Sequence, residues 1–299
     1  MKRVIALGFF DGVHVGHGAL LRMARKRADE LGCTAAALTF DPHPNELIFG
    51  EKTPLINTLS QRRELMTGLY GMDEMLVLPF DRAFMEMDWQ DFVRNVLVGQ
   101  FEAVHVVCGF DYTFGHRGLG NAQNLQQLCK ELGIGCHVVE KVELLGDEVS
   151  STRIRTLLEQ GRLEEANTLL GHPHWISGTV NHGKKLGRVL GFPTANLPLS
   201  EDLAEPKRGV YAARVTLQNG DVCRAVTNIG SRPTVGESTR ITVETYLLDF
   251  EGDLYGQEIK VELVKFLRPE QKFGSLEELK AAVLNDIENC RPTDRTDSR

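Results

Sequence analysis

Strand-like and helix-like segments alternate through the first 145 residues, and this alternation restricts the folds open to the chain. A short apolar run predicts a buried strand at 3–7, and alanines and leucines on one face predict a helix at 18–31. The same criteria predict strands at 33–40, 75–78, 103–108 and 136–142 and helices at 58–70, 88–97 and 121–132. Strands joined by helices form a parallel sheet through right-handed crossovers. We therefore expect an α/β, Rossmann-like first domain that binds ligands beyond the carboxyl ends of its strands.

The pattern changes near residues 171–175. Two short helices are predicted at 152–160, with Ser151 as N-cap, and at 163–170, before Gly171 and Pro173 break the pattern. Segments rich in Val, Ile and Thr then follow without intervening helices, at 176–180, 209–217, 222–229, 239–250 and 259–267. They predict a small antiparallel β-barrel, with a hairpin at Asn219-Gly220 and a final helix from 276 to about 288. The predicted domains are 1–172 and 173–290, followed by a polar tail at 291–299.

Composition restricts the classes of partner. The 299 residues carry 34 basic and 41 acidic side chains and a net charge of -7, which disfavours broad binding to nucleic acids. No run of about 18 apolar residues predicts a membrane span. The six cysteines form no C-x-x-C pair, which disfavours a zinc ribbon and favours reduced thiols in a cytoplasmic protein. We expect small-molecule partners, and the sequence leaves a homo-oligomer open.

The segment GFFDGVHVGH, residues 8–17, joins the first predicted strand to the first helix. His14 and His17 are three residues apart, so they share one face beside a helix N-terminus, where backbone N–H groups favour anions. A surface histidine pair and half of a metal site are the alternatives. No third ligand follows nearby, and the glycine-rich context favours the handling of phosphate.

This segment resembles the H-x-G-H signature of the nucleotidyltransferase superfamily, whose members join a nucleotide to a phosphate group and release pyrophosphate. The resemblance implies that His14 and His17 contact nucleotide phosphates and stabilise the charge that develops as the α-phosphorus is attacked. The neighbouring residues that it implies in nucleotide binding are Gly8, Phe10, Asp11, Gly12 and Gly16.

A second segment, VSSTRIR at 149–155, precedes a predicted helix and by itself is typical of a helix cap. In this order along the chain it resembles the second nucleotidyltransferase signature. The resemblance implies that Ser151 and Thr152 bind the triphosphate and that Arg155 is a catalytic cation.

Two further segments, TFDPHP at 39–44 and GFDYTFG at 109–115, follow the second and fourth predicted strands. Pro and Gly also mark ordinary turns. Both segments resemble the adenylyltransferase module of bacterial bifunctional riboflavin kinase/FAD synthetases. That resemblance implies contacts of Asp111 with the nucleotide and a flavin site formed by Phe40, Pro42, His43 and Pro44.

The segment GKKLGRVLGFPTANL, residues 183–197, lacks the Walker A pattern, and its alternative interpretation is a basic surface hairpin. Thr194 and Asn196 alternate on an extended segment, so both can face one ligand, and their oxygens suit Mg²⁺. GFPTAN resembles the riboflavin kinase signature, which implies that Thr194 and Asn196 hold the metal. The nucleotide-binding residues that it implies are Gly183, Lys184, Gly187, Gly191, Pro193 and Asn196.

Glu244 lies in the strand-like segment 239–250, on the side opposite Ile241 and Val243. A glutamate on the wet face of a strand is unremarkable by itself. In riboflavin kinases a glutamate of this strand accepts the proton of the ribityl hydroxyl, so the resemblance implies that Glu244 is the base. It also implies flavin contacts by Arg208 and Asn228.

Together these resemblances imply a bifunctional enzyme that uses ATP and Mg²⁺ to convert riboflavin to FMN and FMN to FAD. The alternatives are a nucleotidyltransferase for a pantetheine, nicotinamide or choline phosphate, a flavin-binding regulator with a decayed site, and a nucleic-acid-binding barrel. The flavin-like second domain disfavours the first alternative. The presence of His14, His17, Thr194, Asn196 and Glu244 disfavours the second, and the net acidity disfavours the third.

Overall fold

The structure, a computed structural model, describes residues 1–182, 192–233 and 239–290, without the side chains of 232, 233, 239 and 240. The chain divides into two units, Met1–Ser151 and Thr152–Arg299. The domain bounds expected from the sequence, 1–172 and 173–290 with a tail at 291–299, stay predictions. Within the described residues no helix has the length and apolar character needed to cross a bilayer.

A parallel sheet forms the centre of the first unit, as the sequence predicts. Its strands are β1 Arg3–Leu7, β2 Thr34–Asp41, β3 Glu74–Pro79, β4 Ala103–Gly109 and β7 Gly135–Val139, in the order β3-β2-β1-β4-β7. Every neighbouring pair is parallel. Positions 4–7 of β1 and 35–40 of β2 are buried in succession, as expected for strands covered on both faces. The short strands β5 Thr113–Phe114 with β6 Gly120–Asn121, and β8 Glu143–Leu144 with β9 Asp147–Glu148, form two small ribbons.

Helices connect the strands of this unit. They are α1 Val15–Leu31, α2 Pro44–Phe49, α3 Leu59–Tyr70, α4 Arg82–Met85, α5 Trp89–Asp91 and α6 Ala122–Leu132. Thr58 and Gln61 form the capping box of α3, each side chain bonding the backbone of the other. The helix expected over 88–97 is partly wrong, because α5 passes into a π-helix, Phe92–Gln100. The wider π-helical turns change the hydrogen bonding but leave an apolar face that resembles an α-helical pattern.

The helix α7 Ser151–Gln160 starts at the last residue of the first unit and continues into the second, where α8 Leu163–Leu170 follows. Ser151 is the first residue of α7 rather than the cap that precedes it. An antiparallel sheet follows, with the strands β10 His174–Thr179, β11 Thr194–Pro198, β12 Gly209–Thr216, β13 Val222–Pro233, β14 Thr239–Leu247 and β15 Glu258–Pro269, and α9 Leu276–Asn289 comes last.

The described strands of this sheet have the order β10-β15-β12-β13-β14-β11, and its two edges meet. The backbone N–H of Asn181, just after β10, donates to the carbonyl of Asn196 in β11 over 2.9 Å. The expected antiparallel barrel with a terminal helix is therefore confirmed. The hairpin around Asn219-Gly220 also forms, with Thr216 paired to Val222.

His174 starts β10 and is only 3% exposed. Its backbone N–H donates to the Asn167 side chain, while its own Nδ1 is buried without a hydrogen-bond partner. Burial lowers the pKa of His174 to about 4, and the positive charge of His172 acts in the same direction. The folded second unit therefore holds His174 neutral.

This lowered pKa predicts a loss of stability in acid. The unfolded chain binds a proton at His174 near the ordinary pKa of 6.5, whereas the folded chain binds it only near 4, so acid favours unfolding between these values. From pH 7 to pH 5 the wild-type protein should lose about 2 kcal/mol more than H174Q, in urea unfolding followed at both pH values. An equal pH dependence in the two proteins would show that His174 is not held neutral.

Candidate functional site

The two histidines of the H-x-G-H segment lie at the start of α1. His14 is the N-cap residue, and its Nδ1 accepts the backbone N–H of His17 at 3.2 Å. The two rings stack with their centroids 3.6 Å apart. A Cβ at Gly16 would lie 3.1 Å from the His14 ring, so the glycine between the histidines lets them stack.

Hydrogen bonding and burial determine which nitrogens of the two imidazoles can donate a hydrogen bond to a ligand. Because His14 Nδ1 accepts a hydrogen bond, a neutral His14 carries its proton on Nε2 and donates from there. Burial lowers the pKa of His17 well below 6.5, with smaller contributions in the same direction from His14 and Arg62. At neutral pH the His17 imidazole is therefore uncharged, and a bound phosphate would meet an N–H donor rather than a cation.

The loop before the histidines is fixed by Asp11. Its carboxylate Oδ1 accepts the backbone N–H groups of Ile56, at 2.8 Å, and Asn57, at 3.3 Å. Gly12 has φ of 80°, a conformation that favours glycine. The Ser151 hydroxyl donates to the carbonyl of Asp11 at 2.8 Å, so the start of the VSSTRIR segment meets the loop of the H-x-G-H segment.

The other residues that the resemblance implies in nucleotide binding lie outside the contacts described so far. Gly8 follows β1, and its N–H donates to the carbonyl of Leu38 in β2. The Phe10 ring is buried edge-on against His17, with the centroids 5.3 Å apart. Thr152 and Arg155 lie on α7 within the second unit. Their approach to the histidine pair stays a prediction.

A cavity of about 690 Å³ with aromatic walls lies in the first unit. Phe40 and Pro44 of the TFDPHP segment line it, as do Phe114 and neighbours from the GFDYTFG segment. Pro42 and His43 are not in its wall. His43 instead caps α2 by accepting the N–H of Asn45.

Asp111 of the GFDYTFG segment is exposed and also lies outside this wall, directly before the lining residue Tyr112. Its predicted contact with the nucleotide stays untested.

In the second unit the antiparallel register brings the expected kinase residues onto one face. Glu244 in β14 is paired with Asn196 in β11 and with Asn228 in β13. Directly paired residues of neighbouring strands project to the same side. On this side lies a cavity of about 310 Å³ that is lined by Thr194, Asn228 and Glu244 together with residues of β15 and α9.

Two of the expected residues line a neighbouring cavity of about 720 Å³ instead. Asn196 lies in its wall, with its Nδ2 donating to the carbonyl of Thr194 at 3.1 Å. Arg208 also lines it and forms an ion pair with Glu205 at 2.6 Å. Pro193, before β11, is exposed. The remaining nucleotide-binding candidates, Gly183, Lys184, Gly187 and Gly191, lie outside the described residues.

Comparisons with known proteins identify the family. A sequence model of FAD synthetase matches residues 1–153, and one of riboflavin kinase matches residues 170–293. The bifunctional riboflavin kinase/FMN adenylyltransferase of Listeria monocytogenes is 40% identical over 97% of this chain and 92% of its own. The protein of the same name from Bacillus subtilis is 38% identical, over 95% and 90%. The chain belongs to the bifunctional riboflavin kinase/FMN adenylyltransferase family.

A solved structure with the same fold covers nearly all of the chain. It is described as a macrolide-efflux protein from Streptococcus pneumoniae and is 31% identical, with a TM-score of 0.85 over 99% of this chain and 95% of its own. That description differs from the names of the two relatives above and applies only to the Streptococcus pneumoniae protein. The family resemblance expected from the sequence is confirmed by the family matches and these relatives.

Sequence reasoning missed two polar residues of the FAD synthetase unit. Asn57 and Arg62 are fully buried, and each has two side-chain polar atoms without a hydrogen-bond partner, Nδ2 and Oδ1 of Asn57 and Nε and Nη2 of Arg62. The available signal was Arg62 itself, which shares one face of α3 with the apolar residues Leu65 and Met66.

In the riboflavin kinase unit the sequence reasoning missed Arg268, Glu270 and Asp286, which line the cavity of Glu244. The Arg268 guanidinium is paired with the Asp286 carboxylate, Nε to Oδ1 at 3.0 Å and Nη2 to Oδ2 at 2.7 Å. Asp286 is 2% exposed. This bidentate ion pair links α9 to the end of β15 and so stabilises one wall of the cavity.

The lowered pKa of His17 can be measured directly. In two-dimensional ¹H–¹⁵N spectra of the imidazoles, with H17Q used for assignment, we expect His17 to remain neutral at pH 6.5, where an ordinary histidine is half protonated. Protonation should begin only at clearly lower pH. A His17 signal at the midpoint of its titration near pH 6.5 would contradict the proposed electrostatics of this site.

Removal of one charge from the buried ion pair should destabilise the riboflavin kinase unit. D286N leaves the Arg268 guanidinium without its carboxylate partner, and the loss should be about 3 kcal/mol in urea unfolding. E288Q, at an exposed position on the same helix, is the matched control and should change the stability by less than about 0.5 kcal/mol. Equal effects of the two substitutions would show that the pair does not fasten the helix.

Proposed function

We propose that this protein makes FAD from riboflavin in two ATP-dependent steps, phosphorylation in the second unit and adenylylation in the first. The observation that carries the proposal is the presence on one chain of two different sites that suit these two reactions. One is a stacked histidine pair at a helix N-terminus, and the other is a carboxylate, Glu244, in a cavity with apolar walls.

The kinase step takes place in the cavity of Glu244. The terminal ribityl hydroxyl of riboflavin attacks the γ-phosphorus of ATP, a new O–P bond forms, and the bond to ADP breaks. Glu244 accepts the hydroxyl proton. Phe273, Leu279 and Val283 give the cavity the apolar surface that a flavin ring needs, while Asn228 offers an amide beside the base.

Mg²⁺ fits the donors at β11. Thr194 offers a hydroxyl oxygen, and Asn196 offers Oδ1, because its Nδ2 donates to the Thr194 carbonyl. Both are the hard oxygen donors that Mg²⁺ prefers. When bound there, the metal would neutralise charge on the ATP phosphates. Gly183, Lys184, Gly187, Gly191 and Pro193 are the proposed nucleotide contacts, and Arg208 is a proposed flavin contact.

The adenylylation step takes place at the histidine pair. A phosphate oxygen of FMN attacks the α-phosphorus of a second ATP, an O–P bond forms, and the bond to pyrophosphate breaks. The nucleophile is already an anion, so no strong base is needed. His14 Nε2–H and the neutral His17 ring would donate to phosphate oxygens and stabilise the developing charge. Arg155 would add a positive charge, with Ser151 and Thr152 as further donors.

The aromatic cavity of the first unit is the proposed site of the FMN ring. Its volume of about 690 Å³ lies within the range of small-molecule sites. Phe40, Phe80 and Phe84 form one aromatic cluster in its wall, with ring centroids 5.1–5.7 Å apart, and Tyr112 stacks on Phe114. Flat rings favour such walls. Pro42 and His43 would act on the flavin only through Phe40 and Pro44.

A product assay tests both activities. Purified protein is incubated with riboflavin, ATP and Mg²⁺, and riboflavin, FMN and FAD are separated over time. FMN that appears before FAD would support both steps and their order. FMN without FAD would keep the kinase step and leave the acceptor of the first unit open. Unchanged riboflavin, together with unchanged FMN in a parallel tube supplied with FMN, would favour a flavin-binding regulator. A cytoplasmic location and a homo-oligomer stay predictions from the sequence.

Substitutions in each unit should separate the two steps. H14A should abolish conversion of FMN to FAD and leave FMN formation unchanged, because the imidazole that donates to phosphate is lost. E244Q should stop FMN formation from riboflavin and leave conversion of supplied FMN to FAD intact. The same chromatographic assay measures both, and each variant's unaffected activity serves as its folding control.

Two further variants control the assignment of the base. E251Q, at an exposed position after β14, should behave as wild type. E270Q removes the charge of a second glutamate in the same cavity. Loss of FMN formation in E270Q but not in E244Q would show that Glu270, and not Glu244, is the base.

A further inference from the structure

Arg62 is a fully buried arginine beside the histidine pair. It lies on α3 with 0% of its surface exposed, next to Leu65 and Met66 on the buried face of the helix. Arginine is almost never fully buried unless its charge is paired. The complete burial of Arg62 therefore requires a physical explanation.

Part of the Arg62 guanidinium links the end of β1 to the end of β2 through hydrogen bonds. Nη1 donates to the carbonyl of Phe9 at 2.8 Å and to the Thr39 hydroxyl at 3.1 Å. Thr39 in turn donates to the same carbonyl at 2.7 Å. The guanidinium also lies over the Phe9 ring, 4.5 Å from its centre, and the His43 ring contacts the same ring edge-on. Arg62 thus joins the end of β1 to the end of β2 directly before the H-x-G-H loop.

The rest of the guanidinium is unsatisfied. Nε and Nη2 are buried and have no hydrogen-bond partner among the described residues. Asp11 and Asp41 are the carboxylates whose charges act on Arg62, but the Asp11 carboxylate is already hydrogen-bonded to the backbone at Ile56 and Asn57. Buried donors left unpaired destabilise a fold, so their presence indicates a role other than stability.

The positive charge of Arg62 acts on the histidine pair. His17 faces His14 on its own turn and Arg62 from α3, and Arg62 is in turn opposed by Asp11 and Asp41. The Nδ1 atom of His17 is also buried without a partner. Arg62 contributes to the lowering of the His17 pKa, although burial is the larger cause. Such a charge also attracts anions bound at the two imidazoles.

We propose that Arg62 is a positioning residue for adenylyl transfer, which fixes the ends of β1 and β2 through Phe9 and Thr39 and places a buried positive charge behind His14 and His17. This inference rests on the proposed FMN adenylyltransferase activity. Arg62 acts through the histidines and the loop that carries them and does not itself touch the reacting phosphates.

Three variants of one helix test the proposal. R62Q keeps an N–H donor but removes the charge, R62K keeps the charge but removes the planar fork, and R63Q alters the exposed neighbour. FAD formation from FMN is measured as kcat and KM from about pH 5 to pH 8.5. FMN formation from riboflavin by the same preparations reports on the riboflavin kinase unit, and near-ultraviolet circular dichroism reports on folding.

R62Q should lower kcat for FAD formation about 100-fold with a smaller change in KM for FMN, because stabilisation of the developing charge is lost. The pH dependence of its activity should also shift to higher pH than that of wild type, because His17 loses a neighbouring cation and is protonated more easily. R62K should keep the wild-type pH profile and at least about a tenth of kcat. R63Q should match wild type in both.

Several results would overturn the proposal. An R62Q variant whose activity equals that of R63Q would exclude any role, and one whose kcat falls without a change in the pH profile would show a packing role alone. If R62Q does not fold, R62K decides, and an altered pH profile in folded R62K would contradict the charge-based role. A wild-type protein that makes no FAD from FMN would instead refute the proposed function itself.

Discussion

The parallel pairing of β1 with β2 and with β4 is the constraint on which the first site depends. All three strands end at the same edge of the sheet, so the loops at 8–17, 39–44 and 109–115 emerge together although they are far apart in sequence. Successive buried positions in β1 and β2 hold the register, because the strands are covered on both faces. The histidine pair, the buried arginine and the aromatic cavity all lie beyond this edge.

In the riboflavin kinase unit, antiparallel strands bring together residues that are far apart in sequence. There the direct pairing of Asn196, Glu244 and Asn228 brings together groups from three strands, and the bridge at Asn181 joins the two edges of the sheet. Antiparallel pairing leaves one face of each strand for the core and the other for ligand. Val243 and Thr245 are accordingly buried, while Glu244 and Tyr246 between and after them line the cavity.

Periodicity predicted most of the architecture, and motif chemistry singled out the residues around which each site is proposed. The alternation of strands and helices predicted the parallel sheet, and the H-x-G-H spacing predicted that His14 and His17 lie on one face beside a helix N-terminus. Other features depend on tertiary packing that no local pattern encodes. Strand alternation places Thr194 and Asn196 on one face, but it does not show that they line two different cavities. A polar residue such as Arg62 on the buried face of a helix gives little indication of whether it binds, pairs or points outward. The π-helix Phe92–Gln100 is equally hidden, because its apolar face still resembles that of an α-helix.

The ion pair between Arg268 and Asp286 has a consequence for the order in which the molecule is completed. A chain emerges from the ribosome N-terminus first, and domains tend to fold as units as they appear. All strands of the parallel sheet lie within the first 151 residues, whereas the cavity proposed for riboflavin lacks a wall until Asp286 has been added on α9. The site proposed for the second reaction is thus completed during synthesis before the site proposed for the first.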